Sequence, residues 1–207
     1  MSDNDRKKCR KCRRSKQKLH LKGARCLTAK CSLEKRNFPP GFKPGNMMRK
    51  SSEYGIRLRE KQKVRIFYGI SEKQMRKYFS KANKTKGLTG HIFLSLCERR
   101  LDNFISRGKF SASRSESRQL ISHGHFKIND KKVDIPSYVV KSGDIISVNK
   151  KISDFIKKRI TEQKEIGLPT WIDFNAAKNT ITVLHEPKRE EIDLPIEDQL
   201  IVEFYSR

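Results

Sequence analysis

The stretch RLDNFISRGKFSASRSESRQLISHGHFKIND, residues 100–130, changes its hydrophobic period partway along, and that change decides the fold. Up to Ile105 the spacing is helical. Ile92, Phe93, Leu96, Cys97, Leu101, Phe104 and Ile105 fall on one face of a helix that Thr89 can cap. Gly108 interrupts the pattern. Ser113-Arg114-Ser115-Glu116 fits a capping box and opens a short helix through Gln119, Leu120 and Ile121, with Gly124 placed to stop it. Beyond Gly124 the period becomes two. FKIND, KKVDI, YVV and DIISV, within residues 126–148, read as short strands separated by turns at Asn129-Asp130, Pro136 and Ser142-Gly143. The third helix runs straight into this mixed module, which predicts a shared core.

On the N-terminal side, FPPGFKPG at residues 38–45 excludes regular structure. Ser52 can cap a helix that Gly69 ends, and Ser71-Glu72-Lys73-Gln74 opens another with Met75, Tyr78, Phe79 and Ala82 at core spacing. On the other side, residues 152–165 read as a helix with Ile152, Phe155, Ile156 and Ile160 on one side. TWIDF, TITVL and LIVEFY read as three closing strands. The fold class is α+β: a helical domain with a basic N-terminal arm, and a compact mixed α/β module inserted before a β-rich tail. The boundaries are 1–46 for the arm and Pro/Gly loop, 47–98 for the helical domain with 166–207 returning to pack on it, and 99–165 for the module.

The 207 residues carry 48 Lys and Arg against 23 Asp and Glu, a net charge of +25. Such a field draws in polyanions, and solubility alone needs far less. The charge is graded, from +14 over residues 1–50 to −4 over residues 166–207. The N-terminal half is therefore the polyanion face, and the acidic tail is expected against protein or the basic lobe. No apolar run reaches membrane-spanning length and MSDNDRKKC is no secretory signal, so the chain is expected in the cytoplasm.

In that reducing setting the spacing C-x2-C-x13-C-x4-C of Cys9, Cys12, Cys26 and Cys31 favours metal over disulfides. Two close pairs bridged by a loop suit one tetrahedral structural Zn2+, and nearby cations favour thiolates. An iron–sulfur cluster and a redox site are the competing chemistries. Cys97, on an apolar helix face, reads as core.

Candidate RNA contacts fall in three groups. The arm and its loop supply Arg10, Arg13, Arg14, Lys16, Lys22, Arg36, Lys43, Arg49 and Lys50. The helix after Ser52 supplies Tyr54, Arg57, Arg59, Lys61 and Lys63, whose long side chains can span several phosphates or lie on a solvated face. In the module, Arg114 and Arg118 are four apart on one helix face, with Gln119 and His123 beside them and Leu120 and Ile121 turned inward. Arg107, Lys109, His125, Lys127 and Lys131 cluster around that face, which suits backbone shape more than base identity. Phosphate-loop, nucleophile-elbow and His-Glu-x-x-His motifs are absent, and His91, His123 and His125 have no obvious carboxylate orienter, so an enzyme is not expected.

CRKCRRSKQKLHLKGARC, the PPG loop, YGIRLREKQKVRIFYGISEKQ, RLDNFISR, SRSESRQLISHGHFKIND, PSYVVKSGD and LIVEFYSR occur in one order. From Cys9 to Arg207 the chain resembles the bacterial-type family of small-subunit ribosomal protein number four. The module resembles the RNA-binding domain that also occurs in pseudouridine synthases and a tyrosyl-tRNA synthetase. The resemblance implies a structural, non-enzymatic protein of a cytoplasmic or organellar ribosome that binds 16S-type rRNA early, nucleates the subunit body and supports decoding accuracy. It implies ribosomal protein five as a neighbour, a place beside the mRNA entry path, and zinc on the four cysteines, as in some members. An RNA-modifying enzyme sharing the module and a zinc-dependent DNA regulator are the rival readings. The family's usual apolar–Gly pair after Arg107 reads Gly108-Lys109 here, which predicts a different local turn.

Overall fold

The computed structural model describes residues 7–41, 51–149, 152–162, 167–175 and 178–206. Its elements run α1 Lys8–Ser15, α2 Ser32–Lys35, α3 Glu53–Tyr68, α4 Glu72–Lys84, α5 Thr89–Glu98, α6 Leu101–Arg107, α7 Arg114–Ser122, β1 Phe126–Ile128, β2 Lys131–Val133, β3 Ile145–Val148, α8 Ser153–Glu162, β4 Ile172–Asn175, β5 Thr180–Val183 and α9 Asp198–Tyr205. They form two compact units, residues 1–77 with 195–207, and residues 78–194.

The first unit is helical. The Ser52 hydroxyl accepts the Gly55 N–H and starts α3, and Gly69 at φ +62° ends it. Val64, Phe67 and Tyr68 are buried along α3. LIVEFY is helix α9 rather than the expected strand. Tertiary contact overrides its β-prone composition. Arg57 Nε donates to Glu203 at 2.6 Å, Lys61 Nζ to Glu72 at 2.8 Å, and the Tyr205 hydroxyl to Glu72 at 3.0 Å. Lys61 also lies 4.6 Å from the Phe204 ring centroid.

In the second unit β1–β5 form one antiparallel sheet in the order β2-β1-β3-β5-β4. TWIDF and TITVL therefore extend the module's own sheet through the β3–β5 pairing. They do not return to the helical domain as the 166–207 boundary expected, and only 195–207 groups with the first unit. Residues 78–98 fall in the same compact unit as the sheet. Phe104, Phe110, Ile121, Phe126, Ile146, Trp171 and Ile181 are fully or almost fully buried in this core. Each such side chain contributes about 1.5–3 kcal/mol over its exposed state.

The expected continuous third helix is broken at Arg99-Arg100. Arg100 makes an isolated bridge to Val139, Leu101 N–H donates to Tyr138, and Val140 N–H donates to Arg99. The expected YVV strand is reduced to this bridge. Arg100 is then buried, with its guanidinium bidentate on Asp102 at 3.0 and 2.8 Å and donating to the Tyr78 hydroxyl at 2.9 Å.

Candidate nucleic-acid interface

The turn between α6 and α7 is set by two residues. Gly108 has φ −72°, but a Cβ there would stand 2.9 Å from Ile181 Cδ1, so close packing demands the glycine. Lys109 then takes the left-handed conformation, φ +64°, and partial burial pulls its ammonium below the ordinary lysine value. Gly108 and Lys109 together set this turn.

α7 starts where the Ser113 hydroxyl accepts the Glu116 N–H at 3.4 Å. Glu116 reaches one residue past the cap, accepting the Ala112 N–H at 2.5 Å. It ends in a Schellman arrangement, with Gly124 N–H on the Ile121 carbonyl and His125 N–H on that of Leu120. Ile121 is buried and Leu120 packs on the core, which leaves Arg114, Arg118, Gln119 and His123 at the surface side.

Two buried carboxylates organise the arginines. Asp102 and Glu98 have side chains 1% exposed. Asp102 Oδ2 accepts from Arg118 Nε at 2.7 Å as well as from Arg100. Glu98 accepts from Arg107 Nε at 3.2 Å and Nη2 at 2.7 Å, and from Asn103 Nδ2. Asn103 Oδ1 in turn accepts from Arg114 Nε at 2.6 Å. Burial disfavours the Arg100 charge, but the Asp102 hydrogen bonds outweigh it and raise the guanidinium's pKa. Arg107 and Arg118 nevertheless keep 20% and 34% of their side-chain surface in solvent.

The β1–β2 hairpin adds more charge. Asn129 and Asp130 both have positive φ, as an Asn-Asp turn allows, and the ladder sets Lys127 opposite Lys132 and Ile128 opposite Lys131. Like charges directly opposite oppose pairing. Lys132 lies across Gly124, where a Cβ would meet its Cε at 2.2 Å, and the His123 and His125 rings sit 5.9 Å apart on either side in sequence. Lys127 and Lys131 are exposed. A repulsive pair of lysines close to two histidines suits a polyanion.

Other expected contacts are placed differently. Lys61 is buried on Glu72, Arg57 is held by Glu53 and Glu203 with 17% exposure, and Lys63 pairs with Glu60. Acids of α3, α4 and α9 turn them inward. Arg59 and Tyr54 stay exposed, Arg59 donating to the Ser51 hydroxyl and the Tyr54 ring lying tilted with its centroid 5.8 Å from that of Phe204. Lys43, Arg49 and Lys50 lie outside the described residues.

In the arm, Arg10, Arg14, Lys16, Lys22 and Arg36 are exposed. Arg13 is bound to its own loop, donating to the Phe38 carbonyl at 2.9 Å and lying 4.9 Å from the Phe38 ring centroid. Cys9, Cys12, Cys26 and Cys31 line one small recess. Burial pushes the Cys12 and Cys26 thiols up and so do the neighbouring thiols, while the N–H groups of Leu19 and Lys22 donate to the two sulfurs and pull the other way. Among the described residues no three His, Cys, Asp or Glu side chains stand close enough to hold a metal ion as they are. Cys97 is fully buried and its thiol is pushed far up by that burial, a core residue as expected. No described helix is long and apolar enough to cross a membrane.

Sequence reasoning missed Glu98, Asp102 and Asn103. Their signal was two carboxylates and an amide amid an apolar helical face, where uncompensated polar groups are not tolerated.

Comparison with known proteins assigns both parts. Residues 3–98 match the Ribosomal protein S4/S9 N-terminal domain, and residues 99–146 match the S4 domain. The chain is 49% identical over 201 residues to the small ribosomal subunit protein uS4 of Thermodesulfovibrio yellowstonii, covering 96% of each chain. It is 50% identical over 203 residues to the protein of that name from Syntrophomonas wolfei, again covering 96% of each.

Proposed function

Because the chain belongs to the uS4 family of small ribosomal subunit proteins, we propose that it is a primary rRNA-binding protein that docks early on 16S-type rRNA, nucleates the subunit body and supports decoding accuracy. The family is one of structural ribosomal proteins, not enzymes. The observation that carries the reading is the α6–α7 surface, where Glu98, Asn103 and Asp102 hold Arg107, Arg114 and Arg118, with Lys127 facing Lys132 across the β1–β2 hairpin of the same unit. Its chemistry matches a phosphate backbone: fixed guanidinium forks and mobile ammonium groups at the edge of a rigid sheet. Affinity then comes chiefly from counterion release and selectivity from the shape of folded RNA.

The arm takes a structural Zn2+ on Cys9, Cys12, Cys26 and Cys31. Cys12, Leu19 and Cys31 are the buried apolar residues of positions 7–37, too few for a core, while the four thiols already share one recess with two N–H groups aimed at sulfur. Bound zinc supplies a tetrahedral cross-link and removes the mutual repulsion of the thiolates. The exposed arm cations then lie in fixed positions for RNA. Ribosomal protein five and the mRNA entry path complete the proposed surroundings.

Co-sedimentation with the small ribosomal subunit after a salt wash tests the ribosomal role, and the protein should remain with the subunit. Metal analysis tests the arm and should find about one zinc per chain. An arm whose fold is unchanged by a chelator would refute the zinc assignment.

A further inference from the structure

Among the groups that the proposed function leaves without a role are two fully buried carboxylates in an RNA-facing module. Acids at an RNA surface weaken binding by simple electrostatics, and buried charges are expensive unless paired. Both costs are borne here within a few residues of each other. Glu98 and Asp102 are each 1% exposed, and both sit on the α5–α6 segment that the Arg100 break re-aims.

What they hold is informative. Arg118 reaches Asp102 through Nε at 2.7 Å, Arg114 reaches Asn103 through Nε at 2.6 Å, and Arg107 reaches Glu98 through Nε at 3.2 Å and one terminal nitrogen at 2.7 Å. Asn103 is tied to Glu98 in turn, through that residue's backbone carbonyl at 3.1 Å and its carboxylate. In all three arginines the anchored atom is Nε, the root of the fork. A guanidinium carries five N–H donors in a rigid plane, so anchoring the root fixes the direction of the whole fork.

We propose that Glu98, Asp102 and Asn103 are positioning residues for RNA binding: they pre-order Arg107, Arg114 and Arg118 into a phosphate-binding comb before RNA arrives. The inference rests on the rRNA-binding reading of this surface and deepens it. Immobilising a long side chain on binding carries an entropic cost that an anchored side chain has already met in the free protein. The two carboxylates offset half of the four arginine charges around them, Arg100 included, and leave the site cationic.

The test turns on a difference in sign. Asp102→Asn and Glu98→Gln each remove a negative charge with little change in shape. If the carboxylates were only buried ballast, removing them would leave the affinity for folded small-subunit rRNA unchanged or raise it. As positioning residues, each loss weakens binding by on the order of tenfold, with little change in the slope of log affinity against log salt, because the phosphate contacts remain the same in number. Binding is measured on the full chain well below each variant's melting temperature. Arg118→Lys and Arg107→Lys keep charge at partly exposed sites and cover the case in which a carboxylate variant fails to fold. Anchored forks predict on the order of tenfold loss for each, whereas bulk charge predicts none. Unchanged or tighter binding in the folded carboxylate variants, or wild-type affinity in both lysine variants, overturns the proposal. A wild-type chain that binds duplex DNA as well as rRNA would instead strike the function itself, whatever the variants do.

Discussion

Replacing Lys109 by glycine should stabilise the protein while weakening its hold on RNA. Lys109 sits at φ +64°, a conformation that costs an L-residue about 1–2 kcal/mol. A new glycine returns about 0.5–1 kcal/mol of that through the entropy of the unfolded chain. The net gain is about 0.5–1 kcal/mol, or roughly 1–4 °C in Tm for a chain of this length. The neighbouring position predicts the opposite. A Cβ on residue 108 would lie 2.9 Å from Cδ1 of the fully buried Ile181 and 3.4 Å from the Phe104 carbonyl oxygen. Gly108→Ala should therefore cost about 1–3 kcal/mol by overpacking. Thermal unfolding followed by circular dichroism reads both, and a salt titration of rRNA affinity reads the lost ammonium as a slope lower by about one. Lys109→Gly as damaging as Gly108→Ala, or a neutral Gly108→Ala, would refute this account of the turn.

Two further outcomes concern the cores. Burial alone would raise the Glu72 carboxyl, but the Lys61 and Tyr205 hydrogen bonds hold it below its ordinary value. The folded pKa lies below the unfolded one, so this contribution is complete above the unfolded value and is lost as pH falls through the folded one. Hydrogen exchange should show α9 loosening under acid, and Glu72→Gln should flatten that dependence; an α9 equally protected across the acid range would contradict it. Trp171, 1% exposed and 5.5 Å from the Phe104 ring, should cost about 3–5 kcal/mol on truncation to Ala, measured by denaturant unfolding. A loss below about 1 kcal/mol would remove it from the centre of the core.

Much of the fold was legible because its signals are local. The Ser52, Ser71 and Ser113 caps, the Gly124 stop and the Asn129-Asp130 turn each depend on a few adjacent residues, and each stands where the sequence puts it. The misreadings are non-local. Apolar spacing continues on both sides of Arg100, and it is Pro136, Tyr138, Val139 and Val140, far along the chain, that engage the backbone at the break. LIVEFY is β-prone until Glu203 and Tyr205 find Arg57 and Glu72. Lys61 reads as a surface cation until those same segments enclose it. The arginines of the RNA face were visible as types and spacings, whereas the carboxylates that aim them were hidden by their apolar neighbours.

The central claim is that this chain recognises folded small-subunit rRNA through a charged surface of fixed shape. Its most direct test is the affinity for that rRNA and for duplex DNA of equal charge, each measured across a range of salt. Both affinities should fall steeply with salt, with rRNA the tighter ligand at every concentration. Equal affinity for the two polyanions throughout would contradict it.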